Sequence, residues 1–291
     1  MTPVREQIDA IFRPHPPKKQ KVLAGMAQRA KQLEERFHAK ARHRAEVREA
    51  LSPSLQKLQQ LAGLDAKTAK KLELLRKARR RQLPPVEVPK RSDRIFSSSL
   101  GATIVPPYDW DWTHKDEQGD PPEGQQIYSA DANSGTMRLD ANVWDSSWVQ
   151  VDGAVGVWLI APLGTATTMI ITAAPAFSWS SGGATYWGSE AESLAQFGIV
   201  VQRFDRQSGA FIDTIVENQF VTLWDTTVHI IGNFYNNGST TGYPLQAQFT
   251  GEKDYFYTVW VEGIAYASGG SSGAWAFLDS ISVPWISWLN T

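Results

Sequence analysis

The sequence contains no cysteine among its 291 residues, which excludes a disulfide framework and a thiolate zinc site. It also lacks a long apolar run. The nearest candidate, residues 153–179, is interrupted by Pro162, Pro175 and many threonines, so we expect buried strands rather than a membrane helix. The first ten residues already include three charged side chains and no apolar core. We therefore expect synthesis in the cytoplasm without a cleaved signal, followed by incorporation into a particle or export by a non-Sec route.

Basic residues are scarce after residue 100. Residues 101–291 contain 5 lysines and arginines against 20 acids, a net charge of −15, whereas residues 1–100 contain 24 against 10, a net charge of +14. Aromatic residues follow the same division, because all 12 tryptophans lie after residue 109. The composition indicates a basic helical part joined to an acidic, aromatic β part, with opposite electrostatic fields.

Residues 21–83 carry the pattern of basic helices. Apolar residues recur at steps of three and four and predict a helix from Lys21 to about Ala50. Ser52 followed by Pro53 is a typical helix start, so we expect a second helix there and a third after Asp65. The narrow stripe needs a partner surface: another helix, the β region or a second copy. We predict a basic helical hairpin or short coiled coil, whose first apolar stripe is Leu23, Met26, Ala30, Leu33 and Phe37.

Turn and composition signals divide the chain into four parts. These are a Pro-containing basic leader (1–20), the helical segment (21–83), a linker that is Pro/Ser-rich and then acidic (84–126), and a β domain (127–291). From residue 127, short β-branched and aromatic runs alternate with turn signals. They predict roughly eight to ten mostly antiparallel strands in a jelly-roll-like β-sandwich, with one short helix at 189–194. The predicted fold class is therefore α+β with more than one domain.

The C-terminal strands give the clearest β pattern. Residues 255–261 and 275–283 flank a Gly/Ser turn and predict a hairpin. Further tight turns are predicted at Arg206–Gly209 and Asn236–Ser239. Four tryptophans lie inside apolar strands and are predicted to be in the core: Trp158, Trp224, Trp260 and Trp275.

Six other tryptophans are flanked by Ser, Asp, Gly or Pro. Flat rings in such surroundings can stack on sugars, anchor a protein partner or lie at a lipid headgroup boundary. The structural alternative is that they cover the ends of the sandwich. The six candidate binding residues are Trp110, Trp112, Trp179, Trp187, Trp285 and Trp288.

Candidates for metal or cofactor binding are few. His114 lies close to Asp109 and Asp111 in the sequence and forms a weak candidate metal site. The triplet Asp-Ala-Asn occurs at 131–133 and again at 140–142, with Asp145 beyond, and offers oxygen ligands for calcium. Because no EF-hand spacing is present, the same residues are favoured as turn formers. No other cofactor is expected.

The basic helices allow binding to nucleic acid, to anionic lipid or to an acidic protein surface. No aromatic residue lies between Phe37 and Phe96 to stack on bases, which disfavours specific nucleic-acid recognition. Docking onto copies of the same chain or onto an acidic assembly partner is therefore favoured. The predicted docking residues are Arg42, Arg44, Arg48, Arg76, Lys77, Arg79, Arg80 and Arg81.

The leading prediction is a non-enzymatic structural or interaction protein. Its helices attach it to a larger assembly, and its β-sandwich binds a partner or a glycan through tryptophan. A basic segment ahead of a jelly-roll-like domain is similar in outline to virus and phage particle proteins, which implies a phage-like particle or an injection apparatus. One alternative is a pore-forming or lipid-binding toxin with basic amphipathic helices on anionic membranes. Another is a glycan-active enzyme using Asp109, Asp111 or Glu190.

Overall fold

The computed structural model describes residues 18–62, 97–98, 101–118, 126–144, 147–161, 166–217, 220–269 and 273–290. Over these residues the chain forms one helix followed by antiparallel strands. Helix α1 spans Lys19–Ala62. The strands are β1 Ser97–Ser98, β2 Gly101–Ile104, β3 Trp110–Gln118, β4 Ile127–Asp131, β5 Thr136–Trp144, β6 Trp148–Ile160, β7 Thr167–Ala173, β8 Ala176–Asp205, β9 Phe211–Val216, β10 Val221–Thr240, β11 Leu245–Gly251, β12 Tyr255–Ser268, β13 Gly273–Ser282 and β14 Ile286–Asn290.

Strand β8 organises the larger of two sheets. β12 and β13 pair with it one after the other along one edge, through residues 192–205 and 176–184 of β8. β10 and β9 pair along its other edge. β6 and then β3 lie beyond β12, whereas β5 and then β4 lie beyond β13. The smaller sheet has the order β1-β2-β14-β7-β11, and the described strands of neither sheet close on themselves.

The two sheets share one hydrophobic core. Successive side chains of a strand point to opposite faces, and one set from most strands of the larger sheet points inward. Leu139 of β5, Val155 of β6 and Val259 of β12 lie in this core together with Met169 and Ile171 of β7 in the smaller sheet. The fold is thus mostly antiparallel β-sheet with one N-terminal helix.

Helix α1 is continuous through Ser52 and Pro53, so the predicted break is wrong. Proline lacks a backbone N–H and so removes one hydrogen bond of the helix, but the loss of one bond does not by itself end the helix. The predicted third helix lies outside the described residues, and within them neither a hairpin nor a coiled coil is present. The partner of α1 is the β region of the same chain: of the predicted stripe, Met26, Ala30, Leu33 and Phe37 are buried and Leu23 is half-buried, and Val22 is buried beside them.

Several predicted boundaries differ from the structure. The predicted linker contributes β1, β2 and β3, and β3 pairs along its whole length with β6. Residues 189–194 belong to β8 and form no helix. Asn236–Ser239 is no turn, because β10 runs through it opposite β8. There Gly238 lies against the Trp179 ring, and a Cβ would come within 2.4 Å of that ring.

The predicted C-terminal hairpin is also wrong. β12 and β13 both pair with β8, over successive stretches, and not with each other. The register of β13 shifts between Leu278 and Ile281, where Ser280 has a positive φ of 51°. This bulge changes which alternate residues face inward. Before it Ala276 and Leu278 are buried, and after it Ile281 is buried. The turn at Arg206–Gly209 is confirmed, with Gly209 N donating to Asp205 O at 2.8 Å.

Candidate functional site

Helix α1 covers one half of the larger sheet. This covered half consists of β3, β6, β12 and residues 192–205 of β8. Val22 and Met26 pack in one cluster with aromatic side chains of all four strands, and Leu33 and Phe37 pack in a second with β6, β8 and β12. Phe37 stacks on Tyr266 with ring centroids 4.7 Å apart. Both clusters lie on the face that points away from the shared core.

Arg29 of α1 lies between the two aromatic clusters. Its side chain is 1% exposed, with Nε donating to Glu262 Oε2 at 2.8 Å and Nη1 to Glu217 Oε1 at 2.6 Å. The guanidinium carbon lies 5.0 Å from the centre of the Phe220 ring. Burial lowers the pKa of Arg29, but the two carboxylates raise it by more, so the net pKa lies above its ordinary value. Arg29 is therefore a charged anchor that holds α1 on the sheet.

A fully buried acid lies on the same face of the sheet. Gln150 Nε2 donates to both oxygens of Asp152, at 2.9 and 2.7 Å. Burial, followed by the charge of Glu262, raises the pKa of Asp152 well above its usual range. Burial also raises the pKa of Glu262, although Arg29 opposes this. Carboxyl groups outnumber cations here, which favours the protonated form of Asp152.

The predicted metal cluster at β3 is not brought together. Asp109 Oδ2 accepts from a backbone N–H of β6 at 3.1 Å, and Asp111 Oδ2 accepts from the backbone N–H of Ala132 at 3.1 Å. His114 Nε2 lies 2.8 Å from Glu34 Oε1 on α1. Asp111 and His114 are three residues apart in one strand and so face opposite sides. The described residues include no group of three or more metal-ligating side chains.

The two Asp-Ala-Asn triplets also lie apart. Asp131 closes the turn between β4 and β5, with Oδ1 accepting from Asn133 N at 2.9 Å and Oδ2 from Ser134 Oγ at 2.6 Å. These bonds lower the pKa of Asp131. Asp140 pairs with Ile127 at the other end of β4, about 13 Å along the strand. The turn-forming role is thus confirmed for Asp131, and Asp145 lies outside the described residues.

The six candidate tryptophans do not form one surface. Trp110 and Trp288 are buried, at 5% and 3% exposure, because they pack under α1 and in the shared core. Their rings are therefore not exposed for stacking. Trp112, Trp179 and Trp285 are half-buried, and Trp187 lies in β8 with its side chain outside the description. Of the predicted core set, Trp158, Trp224 and Trp260 are buried as predicted, whereas Trp275 is only half-buried.

Trp275 belongs to a second surface, the open face. This face is formed by outward side chains of β4, β5, β13, residues 178–184 of β8 and residues 233–239 of β10. Trp275 lies flat against β8, where a Cβ on Gly182 would come within 2.0 Å of the indole ring. Trp144 lies in the same way over Gly273, where a Cβ would come within 2.5 Å. The two glycines therefore leave the space in which the rings pack against the backbone of the sheet.

Three rings follow one another across the open face. Trp275 is paired with Asn142, two residues from Trp144 on β5, a diagonal spacing of roughly 7–8 Å between backbones. On the other side, Tyr235 of β10 has its ring centroid 6.3 Å from that of Trp275. Tyr235 is 42% exposed. Sequence reasoning missed this row because strand pairing, not flanking composition, brings the rings together.

A pair of carboxyl groups lies beside the rings. Arg138 Nη2 donates to Asp140 Oδ2 at 2.8 Å, and Arg138 Nε lies 3.2 Å from Asp279 Oδ1. Burial, followed by the charge of Asp279, raises the pKa of Asp140 to about 6. Asp279 immediately precedes the bulge and lies on the same face as Trp275 by the regular alternation of β13. The open face thus presents charged and hydrogen-bonding groups next to its aromatic row.

The basic docking residues lie beyond the covered half or outside the description. Every described side chain of α1 after His38 is exposed, including Arg42, and the helix extends about 36 Å past that point. Arg44 and Arg48 lie on this extension, but their side chains are outside the description. The other five predicted docking residues, Arg76, Lys77, Arg79, Arg80 and Arg81, lie outside the described residues.

Comparison with known proteins gives no family. A scan against protein-family models found no match, and a search of curated proteins likewise returned no significant match. Among the residues that the structure describes, no helix combines the length and the apolar character needed to cross a membrane. The function must therefore be argued from the surfaces of the molecule.

Proposed function

We propose that this protein is a non-enzymatic interaction protein whose β-sandwich binds a saccharide on the open face. The observation that carries the proposal is the row formed by Trp144, Trp275 and Tyr235. Two of its rings pack closely against glycines on neighbouring strands. A flat, partly exposed indole offers its face to the apolar C–H face of a sugar, and the fixed ring loses little conformational freedom on binding.

The polar surroundings of the row support the same ligand class. Asp279 is partly exposed, Asn237 is exposed, and Arg138 is about half exposed. Carboxylate, amide and guanidinium groups provide both acceptors and donors for sugar hydroxyls. A protein hot spot would instead need a pocket that excludes water. The open face instead presents a row of partly exposed rings, which suits an extended chain of sugars.

Titration with oligosaccharides tests this proposal directly. Tryptophan fluorescence and calorimetry would be followed with cellohexaose, chitohexaose and xylohexaose as separate probes. We expect binding of at least one of them, and at least a tenfold loss of affinity, about 1.4 kcal/mol, for Trp275→Ala or Trp144→Ala. The same loss is expected for Gly182→Ala, because the added methyl group displaces the Trp275 ring.

The matched control is Trp285→Ala, a half-buried tryptophan that follows β13 and is not part of the row. Its affinity should equal that of the unchanged protein. If none of the three sugars binds, or if Trp285→Ala weakens binding as much as Trp275→Ala, the saccharide proposal is wrong. Folding of every variant would be verified by its unfolding transition.

We further propose that α1 attaches the protein to a larger assembly of its own copies or to an acidic partner. In support, Arg29 fixes the first half of α1 on the sheet, and the second half, whose described side chains are exposed, extends beyond it with Arg42. The opposite charges of residues 1–100 and 101–291 favour docking of this extension on the acidic part of a neighbour. Attachment to a phage-like particle or an injection apparatus, a membrane-active role and glycan hydrolysis stay predictions.

Light scattering at low and high salt tests this second proposal. We expect a mass well above that of one chain at low salt that falls as salt screens the charges. The triple change Arg42→Gln, Arg44→Gln and Arg48→Gln should reduce the low-salt mass. Its control is an equal loss of charge on the docked half, Lys18→Gln, Lys31→Gln and Arg36→Gln, which should leave the mass unchanged. An identical mass for both triple variants would contradict attachment through the extension.

A further inference from the structure

The outer edge of β10 is a long strand edge. β10 has 20 residues and pairs with β8 through residues 177–197 of that strand. No other described strand pairs with β10. Its outer edge therefore presents a row of backbone N–H and C=O groups, which is a template for one more strand.

The uncharged segment of β10 differs from another edge strand of the same sheet, β3, which borders the covered half. β3 carries Asp111, Lys115, Asp116 and Glu117 within nine residues. Charges of this density oppose the addition of a strand. By contrast, Gly232–Thr240 of β10 contains no Lys, Arg, Asp, Glu or Pro. Its outward side chains are an exposed set of amides, a hydroxyl and one phenol: Asn233, Tyr235, Asn237 and Ser239.

We propose that Gly232–Thr240 of β10 pairs antiparallel with the same segment of a second copy. A strand without charges can face itself across a two-fold axis without repulsion, and such pairing satisfies the free edge of both copies at once. The described edge strands β1 and β11 also lack charge, but they have only two and seven residues, whereas Gly232–Thr240 spans nine. The partner that fits β10 is thus β10 itself.

The pairing has a consequence for the open face. Tyr235, Asn237 and Ser239 lie on that face and at this edge, so the second copy would continue the sheet and place its own open face beside the first. Two ring rows joined in one sheet would engage one long ligand at two places. The pairing itself does not depend on saccharide binding, and it is tested without any sugar.

The absence of cysteine makes cross-linking a clean test. Single substitutions Asn233→Cys, Tyr235→Cys, Asn236→Cys, Asn237→Cys and Ser239→Cys would each be oxidised in the full-length protein. Residues directly opposite in antiparallel strands have Cα atoms about 4.5–5.5 Å apart, within disulfide reach. We expect dimer formation to peak at one or two neighbouring positions and to fall on both sides. Gln246→Cys and Gln248→Cys, exposed on β11, are the controls and should form no disulfide-linked dimer on oxidation.

The solution mass provides the second measurement. At high salt, where attachment through α1 is screened, the unchanged protein should have the mass of two chains. Asn237→Lys places like charges across the pairing and should give the mass of one chain, whereas Gln248→Lys on β11 should remain a dimer. A single-chain mass at high salt for the unchanged protein overturns the proposal. Cross-linking as strong at β11 as at β10 does so as well.

Discussion

The covered half and the open face of the larger sheet have the same construction and different environments. Both place aromatic and acidic side chains on the face that points away from the shared core. Under α1 these side chains are buried around Arg29, whereas on the open face Trp275 and Tyr235 remain partly exposed. The difference teaches that aromatic content alone does not identify a binding surface. What separates core from candidate site is whether another element lies over it.

Removal of the Arg29 charge should give the largest effect on this comparison. Arg29→Met leaves Glu262 buried without its cation, which we expect to cost about 3–5 kcal/mol of unfolding free energy in denaturant titration. Arg36→Met, on an exposed position of the same helix, should change it by less than about 0.5 kcal/mol. Adding Glu262→Leu to Arg29→Met should recover part of the loss. Equal costs for the two arginine variants would show that α1 is not anchored by Arg29.

Truncation of a covered ring should have the next largest effect. Phe37→Ala removes the side chain that stacks on Tyr266 and leaves a cavity between α1 and the sheet. We expect a loss of about 3–4 kcal/mol, measured as a lower denaturation midpoint. Phe277→Ala on the open face is the matched control, because Phe277 is half-buried. If Phe277→Ala lowers the unfolding free energy as much as Phe37→Ala does, the proposed difference between the covered half and the open face is contradicted.

The pH dependence of the unfolding free energy distinguishes the two halves of the sheet, because each contains an acid with a raised pKa: Asp140 on the open face and Asp152 in the covered half. An acid whose pKa is raised on folding takes up a proton, so the unfolding free energy falls as pH rises from the unfolded pKa to the folded pKa. For Asp140, with a folded pKa of about 6, the fall occurs between about pH 4 and pH 6 and amounts to about 2–3 kcal/mol. The pKa of Asp152 is raised well above its usual range, so its fall continues toward higher pH.

Denaturation across this pH range measures both contributions. Asp140→Asn should remove the fall between about pH 4 and pH 6, and Asp152→Asn should flatten the profile above it. Asp131→Asn is a control for which a pH dependence of the opposite sign is expected. The pKa of Asp131 is lowered, so its contribution is lost as pH falls. An unchanged profile for Asp140→Asn would show that the carboxyl pair is not coupled as the structure indicates.

Local periodicity predicted much of the fold. The apolar stripe of α1 predicted which residues meet a partner, since steps of three and four depend only on helix geometry. The alternation of β-branched runs and turn residues after residue 127 predicted short antiparallel strands, and β7, Thr167–Ala173, is one of them. The sequence also indicated that the β region was one possible partner for the helix. These successes rest on features that are local in the chain.

What could not be predicted is non-local. The row of Trp144, Trp275 and Tyr235 exists because β5, β13, β8 and β10, which are distant in sequence, are placed side by side in that order. The bulge at Ser280 reverses the alternation of β13, so residues before and after it that would share a face in a regular strand lie on opposite faces. The prediction that Trp275 lies in the core is wrong for this reason. Gly238 was taken for a turn residue, whereas it lies against the Trp179 ring. In each case the position of the side chain depends on which strands pair and in which register, and local sequence patterns do not carry this information.

The smallest effect on stability is expected at the edge of the open face. Tyr235 is 42% exposed, and its ring is tilted by 46° to that of Trp275. Tyr235→Ala removes this partial contact and leaves no enclosed cavity, so we expect a loss of only about 0.5–1 kcal/mol in denaturant titration. The same variant should still weaken oligosaccharide binding, because it shortens the aromatic row. Tyr266→Ala, the covered tyrosine, should instead cost several times more. A large stability loss for Tyr235→Ala would mean that this ring supports the fold, and the open face would then resemble the covered half.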